Sequence, residues 1–217
     1  MPGPAQGRST VSNVAIGRAR TYICKIMPDP ITQPIAFASP AALRDWLAEH
    51  GATQPELWVH IHKIGTHIAS VTWEDCVIAA LSYGWIDGVK KSLGSTAYIQ
   101  RLTPRRSTSA WSKRNRDHAE RLIAAGQMTV PGLDQVAAAK ADGRWDAAYA
   151  GPSEMAVPAD FLAALDAYPK AQSTYASLNR HNLYAIYYRL HSARSAETRA
   201  RRMAVLIATL DRGERFH

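Results

Sequence analysis

Between Tyr83 and Arg116 the chain gathers Trp85, Asp87, Trp111 and a series of arginines. Such a set could do two kinds of chemistry. Asp87 can serve as a general acid or base, because aromatic surface such as Trp85 raises a carboxyl pKa and a guanidinium such as Arg101 lowers it. The same carboxylate could instead cap a turn or anchor an arginine. Arg101, Arg105 and Arg106 can clamp a carboxylate or phosphate through paired hydrogen bonds. Arg101 alternates with apolar strand residues, so it is expected to face inward, beside Asp87, when the two strands pair. Trp111 and Trp145 offer faces on which a planar ligand or a guanidinium can stack, although core anchors would have the same residue type. Asn115 falls on an otherwise apolar helix face, which implies a buried hydrogen bond.

A second cluster lies upstream. In LWVHIHKI, residues 57–64, Leu57, Val59 and Ile61 point to one side, while Trp58, His60, His62 and Ile64 point to the other. Two histidines at i, i+2 suit a metal, but a third ligand would have to come from His67 or Asp87. Nothing in the spacing supplies it, so no metal is expected; His60, His62 and Trp58 are assigned to the wall of a polar pocket, with ordinary packing as the alternative reading of the two histidines.

The elements that must position these groups follow from local signals. Residues 35–38 read as a strand. Ser39-Pro40 gives a helix cap with proline at the first turn, and Gly51 ends that helix. Thr72 caps a helix with Asp75 three residues on, and Trp73, Val77, Ala80 and Leu81 form its buried stripe up to Gly84. Two strands follow, over 85–91 and 96–103, joined by a hairpin at SLGS and closed by Pro104. Beyond them the pattern is helical. Ser112 caps a helix with Asn115, His118, Ala119, Leu122 and Ile123 inward. Pro131 opens another, with Leu133, Val136 and Ala137 inward. A helix at 159–168 is cut by Pro169, and two more carry Leu183 to Leu190 and Ala200 to Leu210. Residues 1–34, with five prolines and no acid before Asp29, read as a flexible leader with a short strand over 21–26.

Composition bounds the function. At 217 residues, 47% hydrophobic and 20% charged, the chain can bury its own core. No run reaches the roughly 18 apolar residues of a membrane helix, and no apolar signal region opens the chain. Cys24 and Cys76 lack metal spacing. A cytoplasmic location is expected. The net charge is +8. It is concentrated in 101–121, where seven cations face two acids, and in 189–202, where five face one. Localised positive charge favours anionic partners, nucleic acid among them. Phosphate loops, dinucleotide fingerprints, nucleophile elbows and H-E-x-x-H zinc motifs are absent.

SYGWIDG (82–88), RLTPRR (101–106), WSKRNR (111–116) and ADGRWDAAY (141–149) occur here in one order, flanked by FASPAALRDWL (37–47) and ETRARR (197–202). In these strings the chain resembles the YdeI/OmpD-associated proteins, also labelled bacteriocin-protection proteins, over residues 35 to 213. The resemblance implies a link to tolerance of cationic peptides or bacteriocins and to an outer-membrane porin. It carries over no catalytic residue. Members commonly have Cys where Ser82 stands and an acid where Gly94 stands, so the resemblance implies no thiol mechanism and no acidic hairpin here.

The resulting expectation is an α+β protein. A small, mostly antiparallel sheet with packed helices occupies 35–110, a helical part occupies 111–213, and the two form a single domain. The GWIDG–TPRR hairpin and the His60/His62 face should line one cleft near Trp111, with Trp58, Trp85, Arg101, Arg105 and Asn115 as ligand contacts. No cofactor is called for. The expected function is a stress- or antimicrobial-resistance-associated binding protein for a small or anionic ligand or a protein. The alternatives are an enzyme using Asp87 as acid/base with Arg101 as anion holder, and a non-specific nucleic-acid binder. Composition and motifs leave the oligomeric state open.

Overall fold

A computed structural model describes residues 33–216. The strand expected over 21–26, and the expected leader apart from Gln33 and Pro34, lie outside the described residues. The fold is α+β, as the patterning predicts, with a helical C-terminal part.

Four strands form one sheet in the order β1-β2-β4-β3: β1 Ile35–Ala36, β2 Leu57–His62, β3 Trp85–Ser92 and β4 Ala97–Pro104. β1 runs parallel to β2, and the other pairings are antiparallel. The alternation of β2 decides which face is covered. Leu57, Val59 and Ile61 are buried against α1 (Pro40–His50) and α2 (Trp73–Ser82), together with Leu43, Leu47, Cys76, Trp85 and Leu102. The side bearing Trp58, His60 and His62 stays half-exposed.

Helix starts obey local chemistry. The Ser39 hydroxyl accepts from Ala42 N. Thr72 and Asp75 form a full capping box, stronger than the partial one read from sequence. Ser112 Oγ accepts from Asn115 N at the start of α3, Lys113–Ala124.

α2 is the central element. Its other side, through Val77 and Leu81, joins a second cluster with Trp111, Ala119, Leu122, Val136, Trp145 and Ala148. There it meets α3 and α4 (Val130–Ala141). The inward residues of these helices differ in part from those expected. Ile123 and Leu133 are exposed, and Ala137 is exposed while Gly132, Val136 and Ala139 face inward. Gly132 permits close contact: a Cβ there would stand 2.5 Å from Ser82 O and 2.9 Å from Leu81 O. Just before β3, Gly84 takes φ 74, a turn conformation that suits glycine.

A third cluster holds α5 (Ala159–Leu165), α6 (Pro169–Ala176), α7 (Arg180–His191) and α8 (Ala196–Asp211), with Phe161, Ile186, Leu190, Leu206 and Leu210 at its centre. α6 was not expected. α5 stops at Leu165, short of the expected 168, and Pro169 does not end it but opens the next helix, at the first-turn position where its missing N–H costs nothing.

Candidate functional site

The hairpin register separates residues that the sequence reading had placed together. Trp85 pairs with Pro104 and Asp87 with Leu102, whereas Arg101 pairs with Trp58 on the far side of β4. Alternation therefore sends Asp87 and Arg101 to opposite faces of the sheet. Arg101 lies on the open face, where Glu56 takes its Nε and Nη2 at 2.6 Å and also accepts from Trp58 Nε1 at 3.1 Å. Lys91 sits 4.7 Å over the Trp58 ring. The His60 and His62 rings are 4.5 Å apart on this face, and His60 Nδ1 is buried without a hydrogen bond among the described residues. Among the described residues, no three His, Cys, Asp or Glu side chains converge as a metal cluster. Trp85 is a core residue whose Nε1 donates to Gly51 O at 3.1 Å, with Trp46 edge-on at 6.2 Å. Trp58, His60, His62, Trp85 and Arg101 thus form no common cleft with Asp87.

Asp87 opens instead into a cleft of about 570 Å³ between α2, α3 and the start of α7. Trp73 Nε1 donates to its Oδ2 at 3.2 Å, and Arg114 lies 4.5 Å over the Trp73 ring. Buried Asn115 lines the same cleft. So does His118, which is 4% exposed; its Nδ1 is 2.7 Å from Arg121 Nη2 and its Nε2 is 3.8 Å from Glu74. Burial, then Arg121 and Arg114, hold the His118 pKa below its ordinary value against the opposing pull of Glu74 and Asp117. At neutral pH the ring is therefore uncharged. The far wall carries Tyr149 and Tyr184. Burial, with neighbouring tyrosines, pushes Tyr184 up to about 12, so it stays a hydroxyl donor. Asp87, Glu74, Asp117 and Glu154 face Arg114 and Arg121 around this cleft, which makes it net acidic rather than anion-seeking.

Trp111 lines a separate cleft of about 580 Å³, with Ala110, Arg144, Tyr149, Tyr188 and Arg194. Arg105 stands behind its wall. The guanidinium lies 3.8 Å over the Trp111 ring, and Nη1 donates to Ala110 O at 3.3 Å. Arg105 is 6% exposed, and among the described residues its Nε and Nη2 have no hydrogen-bond partner; nor has Trp111 Nε1. Burial is the main cause that takes the Arg105 pKa from 12.5 down to about 10.

Tyr149 borders both clefts. It is fixed by backbone bonds to the start of α3: Lys113 N donates to Tyr149 O at 2.8 Å, and Tyr149 N donates to Trp111 O at 3.0 Å. Sequence reasoning missed Tyr149, Tyr184, Tyr188, Trp73 and Arg114 as cleft residues. A signal for α7 existed in Tyr184, Tyr187 and Tyr188, whose i, i+3, i+4 spacing puts three phenols on one helix face. Several cations of the two basic stretches are engaged: Arg116 lies 3.9 Å from Glu120, Arg199 2.7 Å from Asp160, and Arg202 donates to Arg189 O. Among the described residues no helix is long and apolar enough to cross a membrane.

Residues 35–135 match a family described as a domain of unknown function, DUF8412. Residues 154–213 match the family described as bacteriocin-protection, YdeI or OmpD-associated. No curated protein and no solved structure matches the chain. Both clefts draw residues from the two matched segments and from the stretch between them.

Proposed function

We propose, from the match of residues 154–213 to the bacteriocin-protection, YdeI or OmpD-associated family, that the protein is a binding protein, associated with antimicrobial resistance, for a small polar ligand held in the Asp87 cleft. The observation that carries this reading is the convergence of Asp87, Glu74, Asn115, Arg114 and Tyr184 on one concave surface at the junction of the two matched segments. Pockets with a few convergent polar groups are where small ligands bind. The acidic excess favours a ligand that bears an amine or several hydroxyls over a simple anion. Arg101 takes no part, because Glu56 on the other side of the sheet occupies it.

A thermal-shift screen of amines, amino sugars and short cationic peptides tests the reading. A ligand that stabilises the parent should lose that effect in Asp87→Asn and in Asn115→Ala while both variants keep their own melting temperature. Equal stabilisation of parent and variants by every hit would defeat it.

A second reading is favoured by the position of Asp87 in this cleft beside neutral His118. In it the protein is an enzyme with Asp87 as acid or base and Arg114 or Arg121, in place of Arg101, holding charge. Turnover of a bound compound that disappears in Asp87→Asn, with binding retained, separates catalysis from binding.

A further inference from the structure

We propose that the cleft in front of Trp111 is a second site, built for a planar anion: an aromatic ring carrying a carboxylate or a phosphate. The proposal does not rest on the reading of the Asp87 cleft.

The case for negative charge begins with Arg105. A buried guanidinium normally has a carboxylate beside it, because an unpaired buried charge is costly. Arg105 has none: among the described residues its guanidinium makes one hydrogen bond, to Ala110 O, and forms no ion pair. Trp111 is 1% exposed and its Nε1 donor is likewise unpartnered. Trp111 and Ala110 form the wall of the cleft, so Arg105 sits immediately behind it. The rim adds Arg144 and Arg194. Asp142 is the acid lining this cleft, and it is already taken by Arg144 Nε at 2.8 Å to both carboxylate oxygens. Arg194 has no carboxylate partner among the described residues and spends Nη2 on Thr108 O. Among the described residues the cleft and its wall therefore hold more cations than acids, with Arg105, Arg144 and Arg194 against Asp142.

The case for a flat ring comes from the walls. Tyr149 and Tyr188 line the cleft and meet edge-on at 5.1 Å, while Trp111, almost wholly buried, closes the wall behind them. Aromatic faces and edges of this kind accept a further ring in stacked or edge-to-face contact. An anionic substituent on that ring would be drawn toward the Arg194 side, within the field of Arg105.

Isothermal titration with 2-naphthoate, 2-naphthyl phosphate, the neutral 2-naphthamide and the non-planar cyclohexanecarboxylate tests this. One of the two naphthyl anions should bind saturably and about ten-fold or more tighter than the amide, the ratio expected of one charge-assisted contact, and tighter than cyclohexanecarboxylate. The stronger of the two identifies carboxylate or phosphate as the recognised group. Arg194→Gln, at an exposed position, should weaken the anions about five-fold or more and leave the amide unchanged. Tyr188→Ala removes an exposed ring of the cleft wall and should weaken all naphthyl ligands. The proposal is overturned if neither naphthyl anion binds, if the amide binds as well as the anions, or if Asn115→Ala abolishes binding that Arg194→Gln leaves intact, which would put the anion in the other cleft.

Discussion

Replacing Arg105 with methionine should leave the fold about as stable as before, an unusual outcome for a buried arginine. The drop in its pKa from 12.5 to about 10, at about 1.4 kcal/mol per pH unit, means that keeping the charge in place costs roughly 3.5 kcal/mol. Methionine recovers that cost. It loses the guanidinium–indole attraction to Trp111, about 2 kcal/mol for a desolvated pair, and one charged hydrogen bond to Ala110 O, about 1.5 kcal/mol. Its thioether regains about 1 kcal/mol by packing on the same ring. The terms cancel to within about 1 kcal/mol. Urea unfolding at pH 7 should therefore show a midpoint close to the parent's with an unchanged m-value. A loss of about 3–5 kcal/mol, as when one partner of a buried ion pair is removed, would refute the reasoning. It would mean that Arg105 has a charged partner in the folded protein and that the cleft lacks a surplus charge.

Three further outcomes follow from the same geometry. The folded His118 pKa lies below 6.5, so as pH falls below 6.5 the unfolded chain takes up that proton first. Stability is full above 6.5 and declines below it, and His118→Gln should flatten that decline in urea midpoints measured from pH 7.5 downward. Gly132→Ala drives a Cβ to 2.5 Å from Ser82 O and should cost about 1–3 kcal/mol by overpacking; an unchanged melting temperature would show that α4 shifts freely over α2. Burial, then Asp75 and Asp87, raise the Cys76 thiol to about 12. In a Cys24→Ser background it should therefore resist iodoacetamide at pH 8 until urea is added, and native-rate alkylation would contradict its burial.

Much of the fold was legible in the sequence because its signals are local. Ser39, Thr72 and Ser112 each accept the hydrogen bond expected of a helix cap, and the alternation of β2 gave the correct covered face. The site was less legible because it depends on register. Whether Asp87 faces Arg101 turns on which residue of β4 lies opposite. A pairing of Asp87 with Leu102, one position along from Arg101, puts the two on different faces. The core requirement of Leu102 held that clue, but it competed with the apparent complementarity of acid and base. The clefts were hidden for a further reason. They form where α2, α3, α7 and the 142–153 stretch meet, and side chains far apart in sequence face each other there without any shared periodicity. Lone arginines also misled: Arg105 was expected to contact ligand directly and instead lies behind Trp111.

The edges of the sheet bear on how the protein behaves in a crowded or heated solution. β3 is a terminal strand, and exposed backbone at such a strand invites a foreign strand to add on. Here the pairing slips between Asp87 and Lys90, and the strand then presents Lys90 and Lys91, both exposed. The opposite border is β1, only two residues long. A second chain approaching either border meets an irregular ladder, a pair of positive charges or too short a template. Self-association by strand addition is thereby discouraged at both borders of the described sheet.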